Sequence, residues 1–283
     1  MDKKLILRRM RKSAFFMTGL IVACLIVLLA AAAPILTDYD PTANSLTDIL
    51  KAPEFFANGL QGHVLGTDEM GRDVLARLLY GARYSLVIAV VVVALSCVIG
   101  TLLGLLAGYI GGVVDPIIMR MTEVFMAIPQ LVFAIAVVAV LGANVVNLVI
   151  VCVITCWPQY CKLTRNNVLV VKNQDFVHAS QIMGGGRLHI ILTQILPNVT
   201  TSLLITISQQ VGQVILFEAS LSFLSLGIPK PLPSWGNMIA AGRTYLTTCP
   251  WMVIAPGVAL MLTVLAFNFL GDGLRDVLDP KRT

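Results

Sequence analysis

Long apolar runs alternate with short polar segments along most of the chain. Each run is long enough, or nearly so, to cross a hydrocarbon core of about 30 Å at a helical rise of about 1.5 Å per residue. We therefore predict an all-α membrane protein with six transmembrane helices. The predicted spans are Ala14–Ala33, Leu86–Tyr109, Ile117–Leu141, Val145–Tyr160, Val199–Phe217 and Trp251–Leu270.

The polar segments between these runs divide the chain into five parts. Trp157-Pro158 interrupts the fourth run near its end, but a kinked helix survives where neighbouring helices satisfy the freed carbonyl group. The predicted parts are a cytoplasmic basic segment 1–13, a first transmembrane helix 14–33, an extracytoplasmic segment 34–85, a core transmembrane domain 86–272 that contains a cytoplasmic loop 171–198, and a cytoplasmic tail 273–283.

Composition agrees with lipid as the solvent. Hydrophobic residues make up 57% of the chain and charged residues 12%, about half the charged fraction of a soluble domain. The net charge of +5 does not indicate nucleic-acid binding, because the basic residues are scattered apart from one N-terminal cluster. That cluster could belong to a signal peptide, but Ala14–Ala33 is longer than a typical signal-peptide core, so we expect a retained first span.

The distribution of charge predicts the orientation. With the N-terminus in the cytoplasm, most Lys and Arg residues lie on the cytoplasmic side, and the segment between spans one and two is rich in Asp and Glu. This is the bias that the positive-inside rule describes. We therefore expect both termini in the cytoplasm.

Two patterns within the spans concern packing. Small residues recur every four positions in span two, at Ser96, Gly100, Gly104 and Gly108. Such a stripe lets another helix approach closely, within this chain or in a partner. Most of the six cysteines lie in apolar runs, where they act as small hydrophobic residues, so we expect neither a metal site nor a disulfide framework.

The loop between spans four and five carries a short amphipathic helix. Asp175 is the predicted N-cap, Phe176 to Met183 form about two turns, and Gly184 ends the helix. An isolated helix of two turns is unstable in water, so it needs a surface to lie on. That surface is either the bilayer interface or a partner protein. The predicted apolar face contains Phe176, Val177, Ala179, Ile182 and Met183.

This loop resembles the "EAA" loop of ABC-importer permeases. The resemblance rests on Ala179 through Gly184, followed by Ile195-Leu196-Pro197. The chain departs from the family pattern at His178, where Glu is usual, at Ser180, where Ala is usual, and in the missing spacer before Pro197.

Other segments resemble the C-type permease subunit of dipeptide, oligopeptide and nickel importers. They occur in the family's order over nearly the whole chain. The segments are His63 to Asp73, Leu79 to Arg83, Asp115 to Pro129, Glu218 to Gly227, Pro233 to Asn237 and Ala266 to Pro280.

The resemblance implies a type I ABC importer permease fold in the bacterial inner membrane. The implied partners are a second, related permease, two cytoplasmic ATPases that bind ATP and Mg, and an external solute-binding protein. This chain itself is expected to bind no cofactor and to carry no catalytic residue, since Gly184-Gly185-Gly186-Arg187 lacks the Lys-Ser/Thr of a P-loop. The residues implied in ATPase coupling are Asp175, Phe176, His178, Ala179, Ser180, Met183, Gly184, Arg187 and Pro197.

Span five carries polar side chains at membrane depth. Gln209, Gln210, Gln213 and Glu218 either bond to neighbouring helices or line a translocation path. Gln209 and Gln213 share a helical face by spacing. Glu218 is expected near the outer interface, as a gate contact or a structural pair.

The cargo and the competing functions remain open at this point. Short peptides and chelated nickel both fit the resemblance, and the three histidines, which fall on different sides of the membrane, weakly favour peptides. A membrane enzyme is disfavoured because no HExxH or Ser/His/Asp set is present. A secondary transporter is disfavoured because the spans carry no acid–base ladder.

Overall fold

The computed structural model describes residues 3–54 and 62–278, and every regular element in these ranges is helical. Residues 1–2, 55–61 and 279–283 lie outside the described residues, and the last of these ranges contains Asp279-Pro280 and the end of the predicted tail. The helices are α1 (Lys3–Lys12), α2 (Ala14–Ala31), α3 (Ala33–Leu36), α4 (Val74–Ile110), α5 (Val114–Ala127), α6 (Gln130–Leu141), α7 (Val145–Val171), α8 (Asp175–Ile182), α9 (Arg187–Ile190), α10 (Leu196–Phe223), α11 (Trp235–Gly242) and α12 (Trp251–Leu278). A π-helical turn, Ile191–Ile195, joins α9 to α10, and a 3-10 turn, Arg243–Tyr245, follows α11.

The predicted all-α membrane fold is confirmed. Five helical stretches are long and apolar enough to span a bilayer: α2, α4, α7, the stretch Arg187–Phe223 that ends in α10, and α12. The bent pair α5 and α6 counts as the sixth if it is taken as one span.

The third span is broken, so the prediction of one continuous helix over Ile117–Leu141 was wrong. α5 and α6 meet at an angle of 86°. Ile128, between them, is extended (φ −88°, ψ 126°) because the ring of Pro129 disfavours the helical conformation in the residue before it. The chain therefore turns sharply within the apolar run.

Other spans extend beyond their predicted ends. α4 has 37 residues and is about 55 Å long, well above the thickness of a hydrocarbon core. It begins at Val74 rather than Leu86, and α7 continues past Tyr160 to Val171 with Pro158 inside the helix. Hydropathy marks only the part of a helix that lies in lipid, which explains both differences.

The small-residue stripe of α4 packs against α7 within the same chain. A Cβ atom on Gly100 would lie 2.5 Å from the Trp157 carbonyl oxygen, and one on Gly104 would lie 2.6 Å from the Cys161 carbonyl oxygen. Only glycine permits this approach. The stripe therefore serves packing within this chain, which is one of the two uses predicted for it.

Charged groups fix the ends of this helix pair. Arg165 on α7 donates two hydrogen bonds to Asp115 at the start of α5, at 3.0 and 2.6 Å. Lys172 Nζ donates to the carbonyl oxygen of Gly108 at 2.7 Å, near the end of α4. The first contact ties α7 to α5, and the second ties the C-terminal end of α7, just before the loop that carries α8, to α4.

A polar cluster joins the segment before α4 to the same helix. Asp73 caps α4 by accepting from the Ala76 N–H at 2.7 Å, and its other oxygen lies 3.0 Å from His63 Nδ1. Arg77 on α4 pairs with Asp68 at 3.4 Å. These groups are buried, so the segment is fixed to the first turns of α4.

Candidate coupling helix and intramembrane cavity

The start of α8 differs from the prediction. Asp175 is the first helical residue, and the N-cap is Gln174, whose side chain makes no capping hydrogen bond. The prediction that Asp175 caps the helix was therefore wrong. Its carboxylate lies in the first turn instead, where a negative charge is favourable against the helix dipole.

The end of α8 is a Schellman motif. Gly184 has φ +83°, and its N–H donates to the Gln181 carbonyl oxygen at 3.0 Å. The next N–H, of Gly185, donates to the Ser180 carbonyl oxygen at 2.9 Å. The glycine stop expected from the sequence is thus present, and the helix ends at Ile182 rather than at Met183.

The two faces of α8 differ in their surroundings. Val177 and Ser180 are buried against the protein's own bundle. Phe176 is 48%, Ile182 86% and Met183 81% exposed. Val177 therefore does not belong to the outward apolar face predicted for it. Phe176, Ile182 and Met183, together with the exposed Ala179, form an apolar patch that we call the α8 patch.

Basic and polar side chains surround the other side of α8. His178, Gln181 and Arg187 line a depression of about 320 Å³ together with Lys172. Pro197 does not reach this area, because it lies in the first turn of α10. The structure thus groups most of the predicted coupling residues around α8 and places Pro197 in the following span.

A polar cavity lies among α6, α7 and α10, at the start of α6 and near the middle of α7 and α10. It has a volume of about 60 Å³ and is lined by Gln130, Thr155, Cys156, Gln159, Gln210, Gln213 and Val214. Gln130 Nε2 donates to Thr155 Oγ1 at 3.0 Å, and Gln210 Nε2 donates to Gln159 Oε1 at 2.9 Å. We call this the glutamine cavity.

Gln209 does not share this cavity. Its Nε2 donates to Asp272 Oδ1 on α12 at 3.1 Å. Spacing placed Gln209 and Gln213 on one face of α10, but the long side chains diverge, and the two residues have different neighbours. Gln210, buried to 4% exposure, joins Gln213 instead.

Glu218 is fully buried between α4 and α10. It accepts hydrogen bonds from Ser85 Oγ at 2.9 Å and from Ser222 Oγ at 2.6 Å. Ser222 also accepts from the Ile228 N–H at 3.1 Å. These contacts are those of a structural network that ties two spans to the loop after α10.

The sequence reasoning missed Gln130, Thr155 and Gln159. A signal for them was available, because each polar residue stands in or beside an apolar run, and each of the two glutamines directly follows a proline. The sequence could not predict that these three residues lie together around one cavity, because their proximity depends on the break between α5 and α6.

Comparisons with known proteins agree with this architecture. The family model described as "Binding-protein-dependent transport system inner membrane component" matches residues 100–283, and the model "N-terminal TM domain of oligopeptide transport permease C" matches residues 4–53.

Individual relatives cover most of the chain. The di/tripeptide transport system permease protein DppC of Pseudomonas aeruginosa (strain UCBPP-PA14) is 42% identical over 93% of this chain and 87% of its own length. The dipeptide transport system permease protein DppC of Escherichia coli (strain K12) is 41% identical over 93% of this chain and 88% of its own length.

Solved structures show the same fold. The inward-facing MetNI methionine ABC transporter matches with a TM-score of 0.58 at 17% identity, over 71% of this chain and 96% of that chain. The matched segments, the helical bundle and the relatives together show that the chain belongs to the binding-protein-dependent transport system inner membrane component family, the multi-pass permease subunits of ABC importers.

Proposed function

We propose that this chain is a permease subunit that carries short peptides through the bacterial inner membrane. The observation that carries the proposal is the 42% identity to a di/tripeptide permease over 93% of this chain. The complete importer would contain a second, related permease, two cytoplasmic ATPases that bind ATP and Mg, and an external solute-binding protein. Both termini of this chain would lie in the cytoplasm.

The α8 patch supports the coupling role. The large apolar side chains of Phe176, Ile182 and Met183 are exposed to solvent, and their burial against a partner would be favourable. Docking in a groove of the ATPase would bury them and would transmit the closure of the ATPase dimer to α7 and α10, which flank the loop. His178, Gln181 and Arg187 would contact the ATPase from the other side of α8.

The glutamine cavity supports the path. Gln130, Gln159 and Gln213 are exposed on the surface of this chain at mid-span. Primary amides facing hydrocarbon are costly, so this face is expected to meet protein or water. A path between two permease subunits provides both. Gln209 and Glu218 lie outside the path in this proposal, since each bonds to its own chain and neither lines the cavity.

Cysteine substitution tests the path. On a background without native cysteines, Gln213→Cys should react with a small aqueous thiol reagent in at least one nucleotide state. Glu218→Cys serves as a buried comparison and should be protected in every state. Protection of Gln213→Cys in all states would assign the cavity to packing alone.

Uptake measurements test the function as a whole. The importer is purified with all its subunits, reconstituted in vesicles and supplied with ATP and loaded binding protein. We expect accumulation of a labelled dipeptide. Accumulation of a nickel chelate without any dipeptide uptake would overturn the peptide proposal while leaving the permease assignment intact.

A further inference from the structure

The glutamine cavity has an unusual lining for a site at membrane depth. Three helices contribute amide or hydroxyl groups, and no charged side chain lines the cavity in the described part of the chain. The amides come from Gln130 on α6, Gln159 on α7, and Gln210 and Gln213 on α10. Each amide offers both a donor and an acceptor.

Part of this hydrogen-bonding capacity is not used within the chain. Gln210 Nε2 uses the carbonyl oxygen of Gln159, which leaves the Gln159 amide N–H groups without a described partner. Gln213 makes no side-chain hydrogen bond to the described residues, and it is exposed toward the open side of the cavity. Both side chains are exposed on this chain, so these groups are available to a molecule that enters the cavity from its open side.

We infer that the glutamine cavity contacts the peptide group of the cargo, with Gln159 and Gln213 as the contacting side chains. This inference rests on the proposed transport of short peptides. A peptide group presents one N–H donor and one carbonyl acceptor, and paired primary amides match both. Gln213 Oε1 accepts from the N–H, and Gln159 Nε2 donates to the carbonyl oxygen.

The neutral lining has a consequence for selectivity. Because no fixed charge lines the cavity, acidic, basic and neutral side chains of the cargo meet no attractive or repulsive partner there. The site recognises the constant part of every short peptide and leaves selection among side chains to another component. The cavity is small, about 60 Å³, and open on one side, so the cargo beyond the contacted peptide group extends into the open side.

A depsipeptide separates this contact from general permeability. In alanyl-lactate the peptide N–H of dialanine is replaced by an ester oxygen, which removes the donor and leaves a somewhat weaker carbonyl acceptor in the same position. Single-turnover transport is measured from binding protein loaded beforehand with either compound, which takes capture from solution out of the comparison. In the parent importer we expect dialanine to move about fivefold faster, the effect of one ordinary hydrogen bond.

The variants decide whether the cavity is responsible. Gln213→Leu should lower dialanine transport to the depsipeptide rate and abolish the preference, and Gln159→Leu should slow both compounds equally. Gln209→Leu, outside the cavity, is the matched control and should keep the preference. ATPase retention and ATP hydrolysis verify assembly, and Gln213→Asn replaces Gln213→Leu if that variant does not assemble, with a preference weaker than in the parent.

Two results would overturn the inference. One is an equal rate for both compounds in the parent, and the other is an unchanged preference in Gln213→Leu. Failure of the parent to transport either compound would instead reject the proposed function, on which the inference depends.

Discussion

Gly104 lies in the close contact between α4 and α7, so its missing side chain is a direct requirement of packing. A Cβ atom there would meet the Cys161 carbonyl oxygen at 2.6 Å and Thr164 Cβ at 2.7 Å. We predict that Gly104→Ala destabilises the protein by about 1–3 kcal/mol, the usual range for overpacking. The midpoint of thermal unfolding in detergent measures this effect.

Gly257→Ala is the matched control for Gly104→Ala. A Cβ atom at Gly257, also inside a long helix, would meet nothing within 4 Å. Here we expect no loss, and up to about 1 kcal/mol of gain from helix propensity. Equal midpoints for the two variants would contradict the packing role of the stripe.

Glu218 is held by two hydroxyl donors at the centre of a buried network. Glu218→Leu leaves the Ser85 and Ser222 hydroxyl groups without their acceptor, which should cost about 1–3 kcal/mol. Glu218→Gln keeps one carbonyl oxygen and a similar shape, so we expect a smaller loss. Thermal unfolding of both variants in detergent ranks them, and the reverse order would mean that the network does not depend on this acceptor.

At the scale of elements, α8 depends on its C-terminal turn. Gly184 has φ +83°, which a β-branched residue adopts only with strain. We expect Gly184→Val to leave membrane insertion intact but to weaken ATPase retention or to leave ATP hydrolysis without transport. Gly184→Asn should retain most transport, because Asn tolerates this conformation better.

Ala179 tests the same element from its outer face. It is small and exposed on the α8 patch, so Ala179→Trp cannot disturb the protein's own core. We expect the larger side chain to hinder docking and to lower the transport rate of the reconstituted importer. If both Ala179→Trp and Gly184→Val transport like the parent, α8 is not the coupling element.

We expect the segment before α4 to lose stability in acid. The Lys51 ammonium lies 2.6 Å from Asp48 Oδ1 and, with a hydrogen bond from Ser45, lowers the pKa of the Asp48 carboxyl to about 2. The folded pKa is below the ordinary value of about 3.9, so this stabilisation is present above pH 4 and is lost as the pH falls toward 2.

Hydrogen exchange of the peptide 45–51 measures this loss as protection factors between pH 6 and pH 3. Protection should fall in the parent and stay nearly constant in Asp48→Asn. A parallel fall in both proteins would show that other groups control the segment.

Elements that depend on neighbouring residues could be predicted from the sequence, whereas elements that depend on tertiary contacts could not. The spans follow from hydropathy, and the end of α8 follows from Gly184, because both depend on nearby residues. Pro129 and Pro158 show the limit. Pro129 ends a helix, whereas Pro158 lies buried within one that packs against α4, and sequence alone does not distinguish the two settings.

In the candidate site, too, local features could be predicted from the sequence and tertiary contacts could not. The sequence placed the short helix in its loop, but it put Val177 on the outer face because every apolar residue there looked equivalent. It also paired Gln209 with Gln213 by spacing alone. The contact of Gln209 with Asp272, and the convergence of Gln130 and Gln159 on the cavity, bring together residues far apart in sequence.

At the scale of the whole molecule, we expect the exposed amides of the glutamine cavity to face a second permease subunit. This chain resembles one specific member of a two-permease pair, and its amide face is open in the isolated subunit. We expect active importer to contain one copy of this chain and one related permease of different sequence. Native mass spectrometry of the purified importer gives the stoichiometry, and an active assembly with two copies of this chain and no other permease would contradict the prediction.

The break between α5 and α6 also has a consequence for biosynthesis. The two halves have 14 and 12 residues, about 21 and 18 Å of helix, so neither crosses the hydrocarbon core alone. During synthesis, we therefore expect this segment to insert stably only after α7 has been made and can pack against it. In a chain truncated after Leu141, a cysteine introduced into α6 should therefore react with an aqueous thiol reagent, whereas in a chain truncated after Val171 it should be protected.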